Sequence, residues 1–310
     1  MQALVDAIAT LSLPAEAQRV FHGRGGLFPG SERWVLDFYP PVWVLTCYGE
    51  ASEAELAAIG AALAGRWAAI APAGGALNWV YQSRPDRAEA RAETRLMAGS
   101  VPEPHLVQAQ GASYLVNVLR GQNHGLFLDM SEARRWVAAQ MATRPGQKVL
   151  NLFAYTCAFS VAALRAGAAS VVNVDMSSAA LNTGRRNHQL NGVAAGASFL
   201  AHDVFSSWGK ITRGGPYALV VIDPPGYQKG SFVASKDYAR LMRRLPDLLA
   251  PGGQLLLCMT TPKLGEAFLQ EQMAEIAPQM RFVERLPNPP EFADVSADRA
   301  LKVLVYRAPD

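Results

Sequence analysis

From Lys148 onward the chain repeats one unit: a short, unbroken apolar run, then an amphipathic stretch closed by a glycine signal. The runs are Lys148-Val149-Leu150-Asn151-Leu152-Phe153, Ser170-Val171-Val172-Asn173-Val174-Asp175, and residues 197–200, 217–222 and 254–259. Helical stretches over 158–166, 178–191 and 236–249 separate them, closed by Gly167, Asn191-Gly192 and Pro251-Gly252-Gly253. A run apolar on both faces is a strand buried between two layers, and strands joined through helices run parallel. The rhythm predicts a doubly wound, Rossmann-like α/β sheet, finished by a strand over 300–307 after a helix and a Pro-rich loop.

The earlier residues have another texture. Residues 13–34 mix Gly, Pro, Arg and aromatics and read as turns. Residues 34–39 and 42–48 read as strands parted by Pro40-Pro41, residues 53–71 as an Ala/Leu-rich helix, and 78–82 as a short strand. Residues 85–99 read as a charged connector, mobile or helical, and 105–110 with 113–119 as a β-hairpin about Gly111-Ala112. The expected division is a small α+β domain over 1–105, a hairpin and helix over 106–147, and the α/β domain over 148–310.

Composition narrows the class. With 310 residues, half of them hydrophobic and 18% charged, two cores are affordable and global disorder is excluded. No apolar run approaches the ~18 residues of a membrane span, so no membrane partner is expected. The start, Met1-Gln2-Ala3-Leu4-Val5-Asp6, lacks the basic region of a signal peptide. Cys47, Cys157 and Cys258 are far apart with no C-x-x-C pair, which argues against a disulfide framework and points to a reducing cytoplasm. The five histidines show no ligand spacing, so no metal is expected. Residues 1–120 carry a net charge of −2 and the remainder +5. That surplus suits the steering of a phosphate backbone, and equally an ordinary solvated surface.

Open α/β sheets bind ligands at the carboxyl ends of their strands. Those ends carry Asn151, Asp175, Asp203 and Asp223. An acid ending the second strand, 24 residues after Asn151, is placed to accept hydrogen bonds from a ribose diol. One such Asp alone reads equally as a helix N-cap; three in consecutive units point to a site. In Asp223-Pro224-Pro225 the prolines fix the backbone, so the carboxylate and the Pro224 carbonyl converge on an amino group. Tyr227 offers a stacking face for an unpaired base. The alternative is a Pro-rich turn with a packed Tyr, and the motif does not choose among nucleobase, protein and small-molecule acceptors. No G-x-G-x-x-G follows the first strand, which argues against a dinucleotide-dependent oxidoreductase.

These segments resemble the class I S-adenosylmethionine (SAM)-dependent methyltransferases, in particular the bacterial 23S ribosomal RNA group of guanine-N7 and cytosine-C5 enzymes. The resemblance rests on Asn151-Leu152-Phe153-Ala154-Tyr155-Thr156-Cys157-Ala158-Phe159-Ser160, Asp175-Met176-Ser177, Asp203 and Asp223-Pro224-Pro225-Gly226-Tyr227. Gly125 to Arg134 resembles the segment before the group's first strand, and Ala300 to Tyr306 its closing strand. The resemblance implies a seven-stranded sheet, SAM as cofactor and an RNA substrate. It implies that Asn151, Phe153, Tyr155 and Thr156 line the methionine end of SAM, and that Phe127 and Cys157 also bind the cofactor. Asp175 would hold the ribose, with Met176 and Ser177 beside the nucleoside; Asp203 and Val204 would meet the adenine. Asp223, Pro224, Pro225 and Tyr227 would form the acceptor pocket and carry catalysis. The usual glycine-rich loop is missing, and Cys157 stands where this group often has Gly. Where related cytosine-C5 enzymes place a nucleophilic cysteine, this chain has Gly226 and Thr260, and Cys258 falls two residues short; a nitrogen acceptor is favoured. Acceptors other than RNA, and a non-catalytic RNA-binding protein of the same fold, are the other readings. His124 and His202 are expected near the pocket as structural histidines, and Arg24 and Arg134 as contacts to a phosphate or the cofactor carboxylate, or equally as surface salt bridges.

Overall fold

The computed structural model describes residues 1–85, 92–120, 123–228 and 232–310. It divides into two compact units, Met1–Leu128 with Pro290–Val295, and Asp129–Pro289 with Ser296–Asp310. The hairpin thus sides with the first unit and the helix after it with the second.

The first unit contains α1 (Gln2–Ala9), β1 (Gln18–His22), β2 (Trp34–Tyr39), β3 (Val42–Cys47), α2 (Glu53–Ile70), β4 (Asn78–Ser83), β5 (Thr94–Ala98), β6 (His105–Ala109) and β7 (Ala112–Val116). Its five-stranded sheet runs β1-β2-β3-β4-β5, with β3 and β4 parallel because α2 carries the chain back between them. Ser52 caps α2 in a reciprocal capping box with Glu55. Leu56, Ile59, Leu63 and Trp67 of α2 are buried against Trp34, Leu36, Trp43, Leu45 and Trp79 of the sheet. Pro290–Val295 lies along β1: Val295 N donates to Gly25 O at 2.8 Å, and the Phe292 ring lies 4.2 Å from the Arg19 guanidinium.

Two expectations are corrected here. The turn-rich stretch 13–34 contains β1, and the charged connector contains β5, which pairs with β4. Both are edge strands of the sheet, short and partly exposed, without the apolar run that marks a central strand.

The second unit contains α3 (Ser131–Thr143), β8 (Lys148–Leu152), α4 (Ala158–Arg165), β9 (Ser170–Asp175), α5 (Ser178–Leu190), β10 (Ala197–Ala201), α6 (Trp208–Gly214), β11 (Tyr217–Ile222), β12 (Tyr227–Gln228), β13 (Phe232–Val233), α7 (Ala234–Met242), α8 (Leu245–Leu248), β14 (Leu249–Met259), α9 (Glu266–Ile276), β15 (Arg281–Arg285) and β16 (Lys302–Arg307). Its seven-stranded sheet runs β10-β9-β8-β11-β14-β16-β15; the first five strands are parallel and β16 and β15 antiparallel. The period of two is plain in the core. Leu150, Leu152, Val220, Ile222, Leu255 and Leu257 face α7, α8 and α9, whereas Val149, Leu219, Val221, Leu256 and Cys258 face α3 and α4. The doubly wound sheet is as expected. The single helix expected over 236–249 is instead α7 and α8, since Pro246 supplies no N–H to continue it. The edge strand β15, exposed along most of its length, had no apolar signature.

Candidate active site

β8 lies between β9 and β11, and the chain leaves it first toward β9 and β10, later toward β11. A crevice opens where the order reverses. Leu152 pairs with Val174 and with Ile222, so the next residues, Phe153, Asp175 and Asp223, leave the sheet at one level.

The loop after β8 takes a conformation that glycine normally provides. Phe153, Tyr155 and Cys157 have φ of 57°, 47° and 65°. They alternate with Ala154 and Thr156, the spacing of a Gly-x-Gly-x-Gly turn. Each left-handed residue costs about 1–2 kcal/mol, so the surroundings must hold the loop. Several groups do. Asp175 accepts from Tyr155 N at 2.8 Å, Ala154 N donates to Val174 O at 3.0 Å, and Asn187 of α5 donates to Thr156 O at 3.0 Å. The Phe153 ring meets those of Phe205 and Phe232, with centroids at 6.4 and 5.6 Å.

Beneath the loop runs a buried polar chain. Asn151 Nδ2 donates to Asn173 Oδ1 at 3.0 Å, and Asn173 Nδ2 donates to Ser160 Oγ at 3.0 Å and to Ser198 O at 3.2 Å. Ser160 Oγ and His188 Nε2 are 2.8 Å apart, and His188 Nδ1 and Gly184 O 2.6 Å. Burial pushes the His188 pKa down, so its ring is neutral. The Gly184 carbonyl only accepts, so Nδ1 carries the proton, Nε2 accepts, and Ser160 donates to it. Asn173 Nδ2 then uses both of its hydrogens, and the Ser160 hydroxyl both accepts and donates. Asn151 and Cys157, assigned by resemblance to line the cofactor, are 1% and 0% exposed. Their side chains support the loop from below.

Asp175, Met176, Ser177, Asp203 and Val204 gather beside this loop. Asp175 Oδ1 accepts from Ser177 N at 2.8 Å, and Ser177 caps α5 by accepting from Ala180 N. With Tyr155 N on Oδ2, two backbone donors fix the carboxylate, and its remaining lone pairs are free to receive hydroxyls. Met176 is exposed, an apolar surface beside that carboxylate. Asp203 accepts from Phe205 N at 3.2 Å and is exposed, while Val204 is buried.

Asp223 follows β11 with Pro224 buried behind it. Desolvation, then the negative charge of Asp129, raise its pKa to about 7 against the opposing pull of Arg134. Sequence reasoning missed Asp129 as a partner of this site, since nothing in its local pattern signals it; Arg134, expected at the surface, is buried. Gly226 is closely packed: a Cβ there would lie 2.9 Å from Thr260 Oγ1, so a side chain at this position would require the Thr260 hydroxyl to move. Thr261 Oγ1 donates to Gly226 O at 3.1 Å, and the buried Lys302 ammonium donates to Thr261 O at 2.9 Å and Asp298 O at 2.7 Å. Lys302 thus ties the end of β14 to the Asp223 loop, a role also missed. Burial and then Arg285 lower its pKa to about 8. Tyr227 opens β12, paired with Val233, and its side chain lies outside the described residues. Cys258 is fully buried and its thiol pKa is raised.

Phe127 belongs to the first unit and is exposed; His124, in that unit, bonds Gln82 Oε1 at 2.9 Å and edges onto Tyr39. Arg24 stacks 3.8 Å over the Tyr48 ring. His202 Nε2 receives the Lys210 ammonium at 3.0 Å. All three cysteines are free and buried. Among the described residues no cluster of three or more potential ligands suits a metal, and no helix is long and apolar enough to cross a membrane.

Comparison with known proteins shows the family of the chain. The ribosomal RNA large subunit methyltransferase I of Aeromonas salmonicida is 32% identical over 190 residues, covering 59% of this chain and 47% of that protein. The ribosomal RNA large subunit methyltransferase K/L of a Psychrobacter species is 38% identical over 171 residues, covering 53% of this chain and 21% of that protein. The chain therefore spans about half or less of the curated relatives it matches. A Streptococcus mutans structure described as a SAM-dependent methyltransferase superposes with a TM-score of 0.83 at 22% identity, covering 99% of this chain and 81% of that one, and so shares the fold. The family model for S-adenosylmethionine-dependent methyltransferases matches residues 18–307, and the chain belongs to that family.

Proposed function

We propose that this chain transfers a methyl group from SAM to a nucleobase nitrogen in RNA, with large-subunit ribosomal RNA as the substrate. The names of the relatives support the RNA class. The observation that carries the reading is the single row of strand ends, with Asp175 on one side of β8 and Asp223 on the other.

The residues fit SAM. A half-buried carboxylate already oriented by two backbone donors suits a ribose diol, and the exposed Met176 suits an adenine face. The loop 153–157 turns its backbone toward the same place. SAM, when bound, supplies an electrophilic methyl group. Asp223 and the Pro224 carbonyl accept the hydrogens of the target base and orient its nitrogen lone pair. Tyr227 stacks on that base. Gly226 and Thr260 stand where a cysteine would be needed for addition to a cytosine ring, and Cys258 is buried, which favours nitrogen over carbon.

The test is nucleoside mass spectrometry of ribosomal RNA from a deletion strain, followed by addition of the purified protein and SAM. One methylated base should disappear and return. An unchanged nucleoside profile, with no methyl transfer to deproteinised RNA, would remove RNA as the acceptor.

A further inference from the structure

We propose that the basic face of α6 and α7 is a docking surface for the phosphate backbone of the substrate RNA. The proposal rests on the RNA reading above and adds where the strand lies. Lys236, Arg240 and Arg243 recur at i, i+4 and i+7, so they form one stripe, and all three are exposed. Lys210 and Arg213 of α6, at i and i+3, are exposed as well.

Guanidinium–aromatic stacking ties α7 to the turn before α6, and the start of α8 to the start of α6. The Arg240 guanidinium lies 3.8 Å over the Phe205 ring and that of Arg244 5.4 Å over the Trp208 ring, and these rings meet edge to face at 6.3 Å. Stacking uses the flat face of a guanidinium and leaves its in-plane N–H groups for phosphate oxygens. The face is continuous with the site, because the Phe205 ring touches Phe153 of the loop after β8.

Its charge is largely uncompensated. Asp237 pairs with Arg240 at 2.8 Å and spends its other oxygen on Val233 N; Asp247 pairs with Arg244 at 3.1 Å. Among the described residues no carboxylate pairs with Lys210, Arg213, Lys236 or Arg243. Insertion into a bilayer would use apolar side chains beside the cations, and Tyr238, Leu241 and Met242 of α7 are buried in the core. A phosphodiester chain needs only the cations.

The experiment compares the parental protein with a variant carrying Lys210→Ala, Arg213→Ala, Lys236→Ala and Arg243→Ala. Binding to deproteinised 23S ribosomal RNA is measured across a salt series, and SAM binding by calorimetry. The variant should bind RNA several hundredfold more weakly at 0.1 M salt, with the slope of log K against log salt shallower by about 3, since each single-strand phosphate contact contributes about 0.7. SAM affinity should be unchanged. A second variant that exchanges Lys for Arg and Arg for Lys at these positions should keep the parental slope. Parental affinity and slope in the alanine variant, or tighter binding of the parental protein to phosphatidylserine vesicles than to RNA, would overturn the surface. A parental protein that binds no RNA at low salt would overturn the RNA reading itself, and this proposal with it.

Discussion

Gly184 faces Cys157 across the contact between α5 and the loop after β8, and a Cβ built on Gly184 would lie 2.5 Å from the Cys157 Sγ. The glycine missing from the loop is in this sense present on the helix opposite. Gly184→Ala should force the sulfur into the loop, destabilising the protein by about 1–3 kcal/mol and weakening SAM. The double variant with Cys157→Gly should recover both, because it removes the obstruction and one left-handed side chain together. Melting curves and calorimetry of the three variants check this; a Gly184→Ala protein that melts and binds like the parent would refute the contact.

Asp175→Ala removes the acceptor of two backbone N–H groups and the proposed ribose contact. SAM and S-adenosylhomocysteine should each bind roughly tenfold to a hundredfold more weakly, about 1.5–3 kcal/mol. Equal affinity in titration calorimetry would displace Asp175 from the nucleoside site.

Asp223 accepts most strongly from the base, and with both oxygens, when ionised, and its pKa lies at about 7. Activity should therefore rise with pH through about 7 and level off above it. Asp129→Asn removes a charge that raises this pKa, so the rising limb should move to lower pH. A pH–rate profile of kcat at saturating SAM reads the shift directly. A limb that stays in place would mean that Asp129 does not act on Asp223.

Lys302→Met leaves the carbonyls of Thr261 and Asp298 without their donor and loosens the grip of Thr261 on Gly226. The expected result is a fall of at least about tenfold in kcat with SAM affinity preserved, plus a stability loss of about 1–3 kcal/mol. Stability loss with unchanged kcat would make Lys302 a fold residue only.

Cys258→Ala should keep methyl transfer, and RNA containing 5-fluorocytosine should trap no adduct. The thiol is fully buried among Leu256, Val221 and Val303 and its pKa is raised, so thiolate is scarce at the ring of a substrate. A covalent complex seen on a denaturing gel and lost in Cys258→Ala would reverse the choice of nitrogen.

The central strands were legible because burial on both faces leaves an apolar run that no surface element shares: β8, β9 and β11 begin or end within a residue of their expected limits. Edge strands β1, β5 and β15 escaped because each has a neighbour on one side alone and tolerates polar residues. The candidate site was legible where a single residue type stands at a strand end, as at Asp175 and Asp223, which the sheet brings to one level. It was not legible where partners meet only in space. Asn151, Ser160, Asn173 and His188 lie on four elements, and no local pattern announces their hydrogen-bonded chain. The left-handed loop was hidden for a related reason: turn chemistry is read from Gly and Asn, and here tertiary bonds impose the same backbone on Phe and Tyr.

The segment Pro290–Val295 makes the first unit discontinuous in the chain. It leaves the second unit, lies along β1 and returns. No single cut separates the two units. A fragment ending at Leu128 lacks the partner of Gly25 and the ring that covers Arg19, while a fragment beginning at Asp129 carries that strap with nothing to clasp. Dissecting this protein into independently expressed halves therefore calls for a transplant, with residues 290–295 appended to the first half and a short bridge closing the gap in the second.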